Sequence, residues 1–247
     1  MEFYFEDFTE ENYRKIINLA KNFDIPFLTY REACGVDKAI IWRHDIDFSV
    51  HRSLAIAKIE HEEGVRSTFF VHFNSRFYNV FEKEILEKLI EISKLGHEIG
   101  VHFDCEVEEV KTKERLEEQL LFYKQIIEHM LNVEVSAFSF HNPTELILST
   151  YTEEVYAGLY NAYSVKIRER FSYCSDSNGY WRYQRLEDFL EKEFGKNIIV
   201  LTHPAWWVPN AMAPRERIQR VIDGRKNCTE KNYDSVLESF GRKNVRK

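Results

Sequence analysis

Ala39 to Asp47 reads AIIWRHDID, an apolar, β-branched and aromatic run that ends in two carboxylates and a histidine. A short run of this composition is a strand, and its two-residue period puts Arg43, Asp45 and Asp47 on one face and Trp42, His44 and Ile46 on the other. Ser49 then caps a helix predicted from Val50 to Glu63, which stops at Gly64. Strand followed by helix is the unit from which the rest of the chain is read.

The unit repeats downstream. Ser67–Phe73 (STFFVHF) is a strand, Glu82–Leu95 a helix closed by Gly96, His97–Phe103 (HEIGVHF) a strand, Thr112–Leu131 a long helix, and Val135–His141 (VSAFSFH) a strand. A weaker helical signal covers Thr152–Tyr160, and the strand-like runs Asn161–Val165, Phe171–Ser175 and Asn197–His203 follow, giving seven strands. Upstream, Thr9 caps a helix whose apolar positions Tyr13, Ile16, Ile17, Ala20 and Phe23 keep helical spacing up to Pro26. Alternating strands and helices in 247 residues without a linker predict one α/β domain closed as a β/α barrel. It covers residues 1–247, with a helical extension over 1–38 and one or two outer helices over 205–247.

Composition narrows the function. The chain carries 34 Lys and Arg against 41 Asp and Glu, a net charge of −7, which disfavours nucleic acid and anionic lipid as partners. Cys34, Cys105, Cys174 and Cys228 lie far apart with no paired spacing, as reduced thiols do. No stretch reaches the roughly 18 apolar residues of a membrane span, and the acidic start MEFYFEDFTEENYRK has no signal-peptide pattern. The expected location is the cytoplasm.

His44, His72, His102, His141 and His203 fall at or near the C-terminal ends of predicted strands, the end where β/α barrels build their sites. Alternation groups Glu98, Gly100, His102 and Asp104 on one face of their strand, and Ala137, Ser139 and His141 on one face of theirs. Asp45, Asp47, His102, Asp104, His141 and His203 thus converge on one rim. Carboxylates with imidazoles suit zinc or another first-row divalent ion. Trp181, Trp206 and Trp207 either stack on a sugar ring or plug the barrel. Arg76 and Arg182 either hold a phosphate or carboxylate or form structural ion pairs, and Arg43 is counted with Trp181, Arg182 and Trp206 as substrate-binding.

The motifs RHDID (43–47), GHEIGVH (96–102), FSFHNP (138–143), SDSNGYWR (175–182) and VLTHP (200–204) resemble, in order and spacing, the five motifs of the NodB-homology polysaccharide deacetylases. The resemblance implies a distorted, seven-stranded (β/α) barrel and metal-dependent removal of acetyl groups from sugars. It implies Asp45 as general base, Asp47 and His102 as metal ligands, and His203 as the acid that protonates the departing amine. Asp176 either orients His203 or caps the turn before Gly179.

Two departures stand out. Glu106 occupies the place of the motif's second histidine, and His141 replaces the arginine of the R-x-P motif. His141 or Asp104 then completes the metal shell, with His141 favoured as an imidazole. The expected function is a zinc-type hydrolase that removes N-acetyl from a nucleotide- or lipid-linked amino sugar or glycan precursor of surface-polysaccharide synthesis. The alternatives are hydrolysis of a non-sugar C–N bond, such as a cyclic amide or formamide, and a carbohydrate-binding relative without catalysis.

Overall fold

In a computed structural model of the chain, residues 3–245 are described. The elements run α1 (Glu10–Lys21), α2 (Tyr30–Ala33), β1 (Ile40–Ile46), α3 (Val50–Glu62), β2 (Thr68–His72), α4 (Lys83–Lys94), β3 (Glu98–Phe103), α5 (Lys113–Leu131) and β4 (Ala137–Phe140). They continue with α6 (Glu145–Thr150), β5 (Val155–Tyr156), β6 (Leu159–Asn161), α7 (Val165–Arg170), β7 (Ser172–Ser175), α8 (Leu186–Lys192), β8 (Ile198–Thr202) and α9 (Pro214–Ser239). The expected helix starts hold: Thr9, Ser49 and Thr112 each accept a hydrogen bond from a backbone N–H of the first turn. All four cysteines are free. No helix among the described residues is long and apolar enough to cross a membrane.

The strands form one curled sheet in the order β5-β6-β4-β3-β2-β1-β8-β7, parallel except for the β5–β6 pair. This is the expected α/β class, a distorted (β/α) half-barrel, with two differences. Among the described residues the edge strands β5 and β7 do not pair, so the sheet curls without closing. Apolar packing fills the interior instead: Tyr30 and Ala33 of α2, Ile167 of α7 and Phe171 pack with Ile41, Phe70, Ala137 and Ile199. There are also eight strands rather than seven. The helix expected over 152–160 is the β5–β6 hairpin, because Ala157 and Gly158 both take positive φ (50° and 74°) and form its tight turn. The strand expected over Asn161–Val165 ends at Asn161 and gives way to α7.

Register fixes what faces inward. Asp45 lies beside Phe70, Phe70 beside Gly100, and His72 beside His102, which in turn lies beside Ser139. Alternation therefore lays Arg43 and Asp45, Phe70 and His72, Gly100 and His102, and Ala137 and Ser139 on one concave face. Gly100 makes this layer possible. A Cβ there would meet the Phe70 ring at 2.6 Å and the Ala137 carbonyl oxygen at 2.9 Å. Gly100→Ala is expected to lower stability by about 1–3 kcal/mol through overpacking, measured by chemical denaturation.

The outer face of β1 holds a buried polar knot. Glu60 of α3 accepts from the Tyr13 hydroxyl (2.6 Å) and the Ser67 hydroxyl (2.6 Å) and lies 2.9 Å from His44 Nε2, while His44 Nδ1 meets the Thr202 hydroxyl at 2.7 Å. Trp42 Nε1 closes the knot on the Tyr13 oxygen at 2.8 Å. Burial alone would push the Glu60 carboxyl up, but His44, His97 and Ser67 outweigh it and hold the group below its ordinary 4.5. A lowered folded value means the contribution is complete above 4.5 and is lost as pH falls through the folded value. Glu60→Gln is expected to destabilise the protein at neutral pH, with the gap to wild type narrowing below pH 4.5 in denaturation series.

Candidate metal centre

The C-terminal ends of the strands open into a cavity of about 790 Å³. Asp45 comes from the end of β1, and Asp47 follows it where the chain turns toward α3. His72 ends β2, His102 lies near the end of β3, His141 follows β4, and His203 follows β8. Six side chains from five separate stretches of the sequence meet here because parallel strands all end on the same side.

Three donor atoms form a tight triangle. Asp47 Oδ1 is 3.1 Å from His102 Nε2 and 3.3 Å from His141 Nδ1, and the two imidazole nitrogens are 3.2 Å apart. Ligands bound tetrahedrally at about 2.1 Å stand about 3.4 Å from one another, so these spacings fit a first-row ion. His72 lies just beyond: its nitrogen and the donor atoms of Asp47 and His141 are all within 4.8 Å of one another. Buried Asp47 Oδ1 and His72 Nε2 have no aligned hydrogen-bond partner, and neither does Asp45 Oδ1. Orphaned buried donors of this chemistry are what a metal ion would satisfy. Outside the triangle, Asn142 Nδ2 lies 3.0 Å from His141 Nε2.

The electrostatics point the same way. Burial pushes the Asp47 carboxyl up, yet the His102 and His141 imidazoles beside it, helped by His203, hold it well below the usual carboxylate range. Burial, reinforced by His102 and His141, pushes His72 down to about 4, so its ring is neutral and free to ligate. His141 is raised, because Asp47 outweighs its burial.

Asp45 and His203 flank the triangle. Asp45 Oδ2 accepts from Arg43 Nη2 at 2.9 Å and from the Ser139 hydroxyl at 3.4 Å, and stands 3.7 Å from His102 Nε2. His203 Nε2 is 3.7 Å from Asp47 Oδ2, while its Nδ1 is 2.6 Å from Asp176 Oδ1. The other Asp176 oxygen accepts from the His203 backbone N–H at 2.8 Å and from Trp207 Nε1 at 3.0 Å. Of the two roles weighed for Asp176, its side chain takes that of orienting the imidazole. Burial alone would lower His203, but Asp176 outweighs it and, with Asp47 and Asp45, raises the ring to about 9.

Several assignments change. Arg43 does not line the cavity: it is 1% exposed and lies behind Asp45, with its guanidinium over the Tyr163 ring at 4.8 Å. It holds Asp45 in place of touching substrate, because it sits two residues deeper on the strand. Trp181 is a structural plug, stacked on Phe8 at 4.8 Å and donating to Asp7 at 2.7 Å, and Trp207 is buried beside it. Arg76, Arg182 and Trp206 do line the cavity. Asp104 spends its Oδ1 on the backbone N–H groups of Glu106 and Val107, leaving Oδ2 at 3.8 Å from His72 Nε2. Tyr163 is a site residue that sequence reasoning missed, and His72, placed at a strand end, was left out of the convergent set. For His72 the signal was present, because Thr68, Phe70 and His72 alternate onto the inner face.

The chain matches no family model and no curated protein. Among solved structures it is similar to a family 4 carbohydrate esterase from Bacillus anthracis, at 17% identity over 85% of this chain and 85% of that one, TM-score 0.44. It is similar to the peptidoglycan deacetylase PdaC from Bacillus subtilis, at 15% identity over 82% of this chain and 96% of that one, TM-score 0.45. A CE4 family pseudoenzyme from Bacillus anthracis is similar at 17% identity over 77% of this chain and 61% of that one, TM-score 0.43. The chain thus spans about three-fifths of that pseudoenzyme's length.

The triangle predicts about one divalent ion per chain after loading, by elemental analysis. Loss of a ligand in His141→Ala is expected to weaken binding by more than about a hundred-fold, whereas Asp104→Ala is expected to weaken it by about ten- to a hundred-fold, as an outer-shell change does.

Proposed function

We propose that the chain is a divalent-metal-dependent hydrolase of the NodB-homology deacetylase type, acting on an N-acetylated amino sugar or glycan precursor. The reading is carried by one observation: a carboxylate–imidazole triangle flanked by a second carboxylate and by a carboxylate-backed histidine. Asp47, His102 and His141 would hold the ion, with His72 beside them and zinc as the ion their chemistry suits best. When bound, such an ion polarises an acyl carbonyl and acidifies water.

The remaining steps belong to the protein. Asp45 accepts the proton of the attacking water through Oδ1, the oxygen with no protein partner, while Arg43 and Ser139 hold Oδ2. Against its burial, Asp176 raises His203 to about 9 and fixes it so that Nε2 points into the site, where the protonated ring gives its proton to the departing amine. Arg76 and Arg182 at the cavity wall suit a substrate with a phosphate or carboxylate, as in a nucleotide- or lipid-linked sugar. A cytoplasmic step of surface-polysaccharide synthesis is part of the proposal, and fractionation of cells tests it.

Asp45→Asn separates base from ligand. The variant is expected to keep its metal and to lose about 10²–10⁴-fold in turnover on acetylated amino sugars, whereas Asp47→Ala is expected to lose both. Turnover retained in Asp45→Asn contradicts the base assignment.

A further inference from the structure

A side chain outside the motifs also reaches the cavity. Tyr163 follows β6, where its backbone N–H donates to Asn161 Oδ1 at 2.9 Å and its ring stacks on Phe140 at 6.4 Å between centroids. It lines the same cavity as Asp45, Asp47 and His203. Its hydroxyl oxygen accepts from Arg43 Nη2 at 2.9 Å, and the same nitrogen donates to Asp45 Oδ2 at 2.9 Å. One buried guanidinium nitrogen therefore fixes both the carboxylate and the phenol.

The bond from Arg43 uses a lone pair of the phenol and leaves the O–H to give. Among the described residues no acceptor takes that proton. A part-buried hydroxyl whose oxygen accepts from a cation is polarised toward donating its proton. Fixed donors aimed at the place where negative charge develops stabilise a transition state without reorganisation.

We propose that Tyr163 is a further catalytic residue, whose hydroxyl, held by Arg43, donates a hydrogen bond to the acyl oxygen as water adds to the carbonyl. The O–H bond stays intact throughout. The water proton goes to Asp45, and the proton for the amine comes from His203. This assignment rests on the acyl-hydrolase reading above and adds to it a donor from outside the motif set. The phenol occupies the interior through the β5–β6 hairpin and the start of α7, the part of the chain least expected from sequence.

Tyr163→Phe tests it, since the ring and its packing on Phe140 and Arg43 survive and only the hydroxyl is lost. The full-length, zinc-loaded variant and wild type are compared on a panel of N-acetylated hexosamines, their oligomers and their nucleotide-linked forms. The expected result is a fall in kcat of about a hundred-fold, with KM within about two-fold and metal content and Tm unchanged, as when an interaction made only in the transition state is removed. A kcat within about three-fold of wild type overturns the assignment and leaves the hydrolase reading standing. A loss of kcat that tracks a lower Tm or lost metal makes the role structural and overturns it as well. A wild-type protein that hydrolyses nothing on the panel overturns the hydrolase reading, and this assignment falls with it.

Discussion

Asp47 is a carboxylate with one oxygen pressed against two imidazole nitrogens, at 3.1 and 3.3 Å, and the other facing a third imidazole at 3.7 Å. A carboxylate with 12% of its side chain exposed is stabilised where positive charge answers it. Against burial, Asp176 and Asp47 raise His203 and Asp47 raises His141, while burial pushes His72 down to about 4. In the proposed reading a divalent ion would satisfy the carboxylate oxygen and the neutral nitrogens together. The rest of the site is arranged around that cluster. Arg43 balances Asp45 and Asp176 balances His203, so each flanking group has its own partner and the central cluster remains as the proposed ion site.

β1 connects this chemistry to the stability of the fold. Its inward side chains, Arg43 and Asp45, build the site, and its outward ones, Trp42 and His44, enter the Glu60 knot that ties α1, α3, β2 and β8 to the strand. A strand fixed on both faces cannot shift register without unpairing buried charge on one side and exposing it on the other. The geometry of the candidate site and core integrity are thus properties of the same seven residues. The long α9 contributes differently: Arg217 in its first turn donates to the Gly179 carbonyl at 3.0 Å and covers Phe8, and Arg225 further along pairs with Glu82. That contact steadies the loop carrying Asp176 and the cavity wall.

Most of the fold was legible because caps and periodicity agree in the long elements. Thr9, Ser49 and Thr112 mark helix starts that the structure keeps, and the glycines at 64 and 96 mark stops. The stretch 152–160 was not legible, since its hairpin hangs on an Ala157–Gly158 turn and alanine carries no turn signal. Asp47, His102 and His141 could be placed together from alternation alone. Arg43 could not, because alternation gives the face of a strand and not the height at which a residue sits, and Arg43 lies below the residue it serves. Trp181 sits in a loop with no period at all. Tyr163 was hidden because it enters the interior from the stretch whose structure was misread.

The central claim is that one ion sits among Asp47, His102 and His141. Anomalous diffraction from crystals of the zinc-loaded protein tests it directly. The account predicts one strong peak at the open ends of β1, β3 and β4, within bonding distance of Asp47 Oδ1, His102 Nε2 and His141 Nδ1. A peak held instead by Asp104 and His72, or none at saturating zinc, would contradict it.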